Sequence, residues 1–206
     1  MSNAPTISQT QEDYSLKSYW SLFSVQLQGA FSDNLFKFLV VFTSINVAGI
    51  EDSQRDFRLF LIAAIFSLPF ILFSMTSGCL ADRFSKAKVI TWTKRAEIMI
   101  MCIGLLALKT LNFYVMLGVI FLMSVQSAVF GPAKYSSLPE ILPNHKLSWG
   151  NGIFSLGTFF GIIAGGTAAG FLSNSLGQER VWICGFILIV LAITGALISR
   201  LMERKP

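Results

Sequence analysis

Six apolar segments, each about 20 residues or longer, constrain what this chain can fold into. Their predicted bounds are Tyr19–Thr43, Phe57–Leu80, Val89–Leu108, Asn112–Phe130, Gly150–Leu172 and Val181–Ser199. An α-helix rises ~1.5 Å per residue, so each segment is long enough to cross about 30 Å of hydrocarbon. Because lipid offers no hydrogen bonds, the backbone of each segment must pair with itself, as it does in a helix. The sequence therefore predicts an all-α membrane protein with six transmembrane helices.

The composition excludes the other classes of protein. Hydrophobic residues make up 53% of the chain and charged residues 13%, whereas soluble domains carry about 25% charged residues. A disordered chain needs low hydrophobicity and high charge. A soluble globule of 206 residues would expose large apolar patches.

The distribution of Lys and Arg predicts the orientation. If the N-terminus is cytoplasmic, 11 of the 16 Lys and Arg residues fall on the cytoplasmic side, four fall outside, and Lys37 lies within the first segment. Positive residues gather on the cytoplasmic side of membrane proteins, so both termini are predicted to be cytoplasmic. Residues 1–18 form a polar cytoplasmic tail in this interpretation, and residues 19–206 form the six-helix domain.

The longest predicted cytoplasmic loop spans residues 131–149, between the fourth and fifth segments. It contains the pairs Gly131-Pro132, Leu138-Pro139 and Leu142-Pro143. Proline interrupts helical hydrogen bonding, so these pairs predict turns, and Pro132 is expected to stop or kink the fourth helix.

Sequence signals for enzymatic chemistry are missing. The three cysteines lie in or beside apolar segments without CxxC spacing, and the single histidine, His145, lies in the predicted loop. There is no nucleophile elbow, no phosphate-binding loop and no zinc spacing. No basic patch is interleaved with base-stacking aromatic residues. We therefore expect no enzyme activity, no cofactor, no metal and no nucleic-acid partner.

The first segment carries ionisable residues that lipid does not tolerate. Asp33 lies near its middle, and Lys37 follows one turn later, with Asn34 beside them. A charge at the bilayer centre costs at least ~2.5 kcal/mol, and such groups usually mark a transport path. We interpret Asp33, Asn34 and Lys37 as part of a polar stripe that lines a cavity. The alternative is an internal Asp33–Lys37 ion pair, which the four-residue spacing allows.

Two further groups of charged residues lie near segment boundaries. The third segment begins with three charged residues, Lys94, Arg95 and Glu97. Their long side chains can snorkel to the cytoplasmic interface. The alternative is that one of them faces inward to hold a phosphate. Lys134 and Tyr135 follow the fourth segment, where both residue types commonly anchor a helix at the interface.

Small residues repeat every four positions in the fifth segment. The set comprises Gly157, Gly161, Gly165, Gly166 and Gly170. This spacing lets a second helix approach closely, so we expect these glycines to serve helix packing, with a sliding surface as the functional extension.

The stretch between the second and third segments resembles a known signature. It reads GCLADRFSKAK over residues 78–88 and is similar to the G-x-L-A-D-R-x-G-R-K loop of the major facilitator superfamily. Ser85 and Ala87 depart from that pattern. The resemblance implies a conformational role for Gly78, Asp82, Arg83 and Lys86.

Three other stretches resemble a narrower family, the bacterial lysophospholipid transporters. They are QGAFSDN at 28–34, FGPAKY at 130–135 and GNG at 150–152. This resemblance implies lysophospholipid flipping from the outer to the inner leaflet of the bacterial inner membrane by alternating access. It places Asp33, Asn34 and Lys134 in motif positions. Together with Lys37, these are the predicted substrate-binding residues. It also implies an acyltransferase/acyl-carrier-protein synthetase as a partner.

Members of the superfamily have two six-helix halves, and this chain matches the N-terminal half. The resemblance therefore implies a second six-helix half as a partner. Two alternatives stay open: a facilitator-type transporter of a drug or metabolite, and a non-transporting membrane module that anchors or regulates a phospholipid acyltransferase.

Overall fold

The computed structural model describes residues 16–46 and 51–202, and every regular element in these ranges is helical. Each predicted apolar segment corresponds to one long helix. The helices are α1 (Leu16–Ile45), α2 (Asp52–Arg83), α3 (Lys86–Thr110), α4 (Phe113–Ile141), α5 (Leu147–Arg180) and α6 (Ile183–Ser199). A short 3-10 helix, Asn144–Lys146, precedes α5. Most of the predicted polar tail and the last four residues lie outside the described ranges.

Three helical stretches are long and apolar enough to cross a membrane by length and composition. They are Asp52–Phe73 within α2, Phe113–Ile141, and Asn144–Arg180, which joins the 3-10 helix to α5. Helix α6 is apolar but has 17 residues. Helices α1 and α3 carry the charged residues noted above. The chain is therefore a multi-helix membrane protein, with three spans apparent from apolar character alone.

Helix α4 differs from the prediction. It runs through Pro132 and Pro139 to Ile141, so the turn predicted at Gly131-Pro132 is wrong and residues 131–141 of the predicted loop are helical. Pro132 removes one backbone donor, yet Phe130 and Ala133 on either side are buried in the core. Burial of an apolar face outweighs one missing hydrogen bond, and the helix continues.

The packing of the helices repeats itself. Helix α1 packs mainly on α5 and also on α6, helix α2 packs on α4, and helix α3 packs on both α4 and α6. Exchanging α1 with α4, α2 with α5 and α3 with α6 maps these five pairs onto one another. The helices therefore form two related three-helix units, an internal repeat of the kind that transporter folds contain.

A polar layer crosses the middle of the bundle between two apolar clusters. The first cluster includes Leu35, Phe36, Met101, Ile120 and Leu188. The second cluster includes Tyr19, Leu22, Ile90, Phe130 and Phe154. The polar layer, which lies between them along each helix, comprises Gln26, Gln28, Asp33, Asn34, Lys94, Glu97, Gln126, Ser127 and Thr158. Polar groups at this depth need partners within the bundle, or a cavity.

Candidate functional site

A cavity of about 530 Å³ opens within the polar layer. Residues of α1, α2, α3, α4 and α5 line it. The polar and charged residues in its lining include Gln26, Asp33, Asn34, Lys94, Ser127 and Lys134. Its volume lies in the range of small-molecule sites, which are mostly apolar with a few convergent polar groups.

Asp33 lies on the cavity wall, where α1 meets α4. Its Oδ2 accepts a hydrogen bond from the Ser127 hydroxyl at 2.6 Å. The Asp33–Lys37 ion pair that the spacing allows is not formed, and no other ion-pair partner of Asp33 occurs among the described residues. A carboxylate held by one neutral donor keeps acceptor capacity for a cationic group.

Lys37 and Asn34 bond to each other. Lys37 Nζ donates to Asn34 Oδ1 at 2.9 Å and lies 4.4 Å from the centre of the Phe66 ring. Asn34 Nδ2 donates to the carbonyl of Ala30 at 2.8 Å. Asn34 lines the cavity and Lys37 does not. The structure therefore brings together Asp33, Asn34 and Lys134 of the four predicted binding residues and places Lys37 at the edge of the set.

Lys134 reaches the cavity because α4 continues past Pro132. Its side chain is buried, and Nζ donates to Gln26 Oε1 at 2.9 Å. The amide of Gln26 in turn donates to Thr158 Oγ1 on α5 at 2.8 Å. Nζ also lies 4.4 Å from the centre of the Tyr135 ring. No acidic partner of Lys134 occurs in the described part of the chain, so its charge is available to an anion.

The three charged residues near the start of α3 lie in two environments, one exposed and one buried. Arg95 is exposed, whereas Lys94 and Glu97 are each 1% exposed. Lys94 Nζ donates to Glu97 Oε2 at 2.5 Å and to Gln28 Oε1 on α1 at 2.7 Å. Two of the three residues therefore face inward.

The predicted glycine stripe faces α1. A Cβ atom at Gly161 would lie 2.9 Å from the Leu27 carbonyl oxygen, and one at Gly165 would lie 2.5 Å from that of Phe31. Gly157 faces the ring of Phe23. Farther along α5, Gly166 faces the ring of Phe38 and Gly170 that of Phe42. At Gly161 and Gly165, glycine lets the two backbones approach where any side chain would separate them.

The loop motif lies where α2 ends and α3 begins. Lys86 forms an ion pair with Glu140 at the end of α4, and Arg83 is exposed. Gly78 lies on α2 with open space at its Cβ position. The side chain of Asp82 is outside the described part of the structure.

Sequence reasoning missed Thr158 and the partnership of Ser127 with Asp33. Both are single hydroxyl residues, and only the packing of α4 and α5 against α1 reveals their role.

In the described ranges, no group of three His, Cys, Asp or Glu side chains is close enough to hold a metal ion. The polar side chains that line the cavity in the described part of the chain carry a carboxyl group, two amines, amides and hydroxyls.

The chain is similar to curated bacterial proteins named lysophospholipid transporter LplT. The protein from Photorhabdus laumondii is 25% identical over 179 residues, which cover 85% of this chain and 42% of the relative. The protein from Serratia proteamaculans is 27% identical over 194 residues, which cover 92% of this chain and 45% of the relative. The protein from Salmonella arizonae is 27% identical over 194 residues, which cover 92% of this chain and 44% of the relative.

These relatives are longer than this chain, which spans less than half of their length. A family model described as Major Facilitator Superfamily matches residues 18–206 and so includes all six helices. Together with the repeated packing of two three-helix units and the polar layer between two apolar clusters, this match shows that the chain belongs to the Major Facilitator Superfamily of membrane transport proteins.

Proposed function

We propose that this chain is the N-terminal six-helix half of a transporter that moves lysophospholipid from the outer to the inner leaflet of the bacterial inner membrane. The observation that carries the proposal is the cavity in the polar layer, which contains an acid and an amine that form no ion pair with the described residues. Asp33 and Lys134 both line it, and the hydrogen-bond partners of each in the described part of the chain are neutral groups. Groups this costly in a membrane interior are expected to serve a substrate.

Opposite charges on the walls of one cavity suit a zwitterionic headgroup. Ser127, which holds Asp33, precedes Lys134 by seven residues on α4, a rise of roughly 10 Å. An ethanolamine amine would bind near Asp33, and the phosphate would bind near Lys134. Asn34 also lines the cavity, and its side-chain oxygen would accept from the amine. The names of the relatives support a lysophospholipid as the substrate.

Alternating access requires a second wall for the cavity. We propose that a second six-helix half supplies it, since the relatives are more than twice as long as the matched region. All six helices would span the bilayer, with both termini cytoplasmic as the Lys and Arg distribution predicts. The loop motif at Gly78, Asp82, Arg83 and Lys86 would act at the cytoplasmic side. An acyltransferase/acyl-carrier-protein synthetase there would re-acylate the product.

Uptake into spheroplasts tests this proposal. Cells without endogenous lysophospholipid uptake would express the protein from its complete reading frame and receive labelled lysophosphatidylethanolamine or diacyl phosphatidylethanolamine. We expect uptake of the lysolipid above the empty-vector level and none of the diacyl lipid. Equal lysolipid signals with and without the protein, at verified membrane expression, would refute the proposal.

A further inference from the structure

A second amine faces the same cavity, and its hydrogen bonding is incomplete. Lys94 lines the cavity from α3, whereas its ion-pair partner Glu97 does not. The ammonium uses two N–H groups, one to Glu97 and one to Gln28. An ammonium has three donors, and the third has no acceptor among the described residues. An unused donor on a buried amine is costly unless a ligand meets it.

A glycine leaves this ammonium open to the cavity. Gly29 of α1 also lines the cavity, and a Cβ atom at that position would lie 3.1 Å from Lys94 Nζ. Any side chain there would stand between the amine and the cavity or push the amine away. Gly195 of α6 makes room on the far side, because its Cβ position falls on the Gln28 amide. The amine of Lys94 is therefore in close contact with Gln28 near Gly195, and it borders the cavity beside Gly29.

Lys94 and Lys134 approach the same aromatic ring. Lys94 Nζ lies 5.9 Å from the centre of the Phe130 ring and Lys134 Nζ lies 5.7 Å from it. Phe130 also lines the cavity. Two amines near one ring form a cationic region on the wall of the cavity that Asp33 lines as well. A phosphodiester has two free oxygens with which to meet two such donors.

Glu97 and Gln28 fix the position of Lys94. Gln28 Nε2 donates to Glu97 Oε1 at 2.9 Å and to Ser32 Oγ at 2.9 Å, while its carbonyl oxygen accepts from Lys94. Each charged group is thereby held by two partners. Stability alone is a weak reason for this arrangement, because a buried ion pair recovers little more than its desolvation cost.

We propose that Lys94 is a second anion-binding residue of the transport cavity, which contacts the substrate phosphate together with Lys134. Glu97 and Gln28 are positioning residues that hold the amine at the cavity wall. The assignment rests on the proposed transport of lysophospholipid and adds to it the basis for preferring a substrate with a phosphate.

Exchanging the two charges separates this role from a purely structural one. In the double variant Lys94→Glu/Glu97→Lys the ion pair is preserved, but the amine moves off the cavity wall. A half-turn of the Gln28 amide would then place its donor at residue 94 and its acceptor at residue 97. A structural pair would tolerate the exchange, whereas an anion-binding amine would not. The neutral double variant Lys94→Gln/Glu97→Gln provides a second test without either charge.

Binding of two lipids to the purified full-length protein provides the readout. Lysophosphatidylethanolamine and a monoacylglycerol with the same acyl chain differ in the phosphoethanolamine headgroup, and native mass spectrometry in detergent compares their affinities. We expect the wild type to prefer the lysolipid and each double variant to lose at least tenfold of that preference. Monoacylglycerol binding and the thermal midpoint of unfolding should remain unchanged.

Three outcomes would overturn the assignment. The exchanged variant could retain the wild-type preference, the wild type could show none, or both double variants could fail to fold, which would mark the pair as structural. Spheroplast uptake of lysolipid by the wild type is measured independently. Normal uptake with any of these outcomes would remove the role of Lys94 and leave the proposed function in place.

Discussion

Replacing Gly165 by alanine tests a close approach between the backbones of α1 and α5. The added Cβ would lie 2.5 Å from the Phe31 carbonyl oxygen and 3.1 Å from the Leu35 backbone nitrogen. Ordinary non-bonded contacts need about 3.5 Å, so the helices must separate locally by roughly 1 Å. Both nearby atoms belong to the α1 backbone, and therefore no side-chain rotation relieves the clash.

The magnitude follows from two opposing effects. Overpacking a close contact costs about 1–3 kcal/mol, and alanine recovers up to ~1 kcal/mol over glycine within a helix. A net loss of about 1–2 kcal/mol lowers the thermal midpoint by roughly 2–8 °C for a chain of this size. The separation also displaces Asn34 and Asp33 at the cavity wall, so we expect lysolipid uptake to fall as well.

The matched control is Gly170→Ala on the same helix. A Cβ there would lie 3.6 Å from the ring of Phe42, an ordinary contact. This variant should keep or raise the thermal midpoint, because the propensity gain acts alone. Differential scanning fluorimetry in detergent compares the two proteins. Equal midpoints for Gly165→Ala and Gly170→Ala would refute the close-packing argument.

Two more predictions concern single charges. Lys134→Gln should lower lysolipid uptake at least tenfold, because the cavity loses the amine proposed to bind the substrate phosphate, whose hydrogen-bond partner is the neutral Gln26. Its control, Lys109→Gln at the exposed end of α3, should keep the wild-type rate. Glu140→Gln breaks an ion pair with Lys86 whose carboxylate is half exposed. Such pairs contribute about 0–1 kcal/mol, so a loss of more than about 1 kcal/mol in the free energy of unfolding, measured by chemical denaturation, would contradict the assignment of a surface bridge.

The sequence predicts the helices well because their cause is local. Long apolar segments must satisfy their backbones within lipid, and each of the six predicted segments corresponds to a helix. The end of α4 was not predictable in this way. Pro132 signals a stop locally, but burial of Phe130 and Ala133 against the rest of the bundle keeps the helix going to Ile141.

The site is only partly predictable because spacing identifies a helix face and not its partner. Asp33 and Lys37 share a face of α1, yet Asp33 bonds to Ser127 of α4 and Lys37 bonds to Asn34. Lys94 likewise admitted two orientations. Its inward position depends on the Gln28 side chain of another helix, and no pattern within α3 contains that information.

Lysolipid uptake by Asp33→Asn, compared with Asp56→Asn, tests the central claim most directly. Asp33→Asn preserves an acceptor for Ser127 and removes the carboxylate that, among the described residues, lines the cavity. Asp56→Asn makes the same chemical change at an exposed position of α2. At equal membrane expression, we predict at least a tenfold loss of lysophosphatidylethanolamine uptake for Asp33→Asn and wild-type uptake for Asp56→Asn. Equal uptake by the two variants would contradict the assignment of this cavity as the lysophospholipid path.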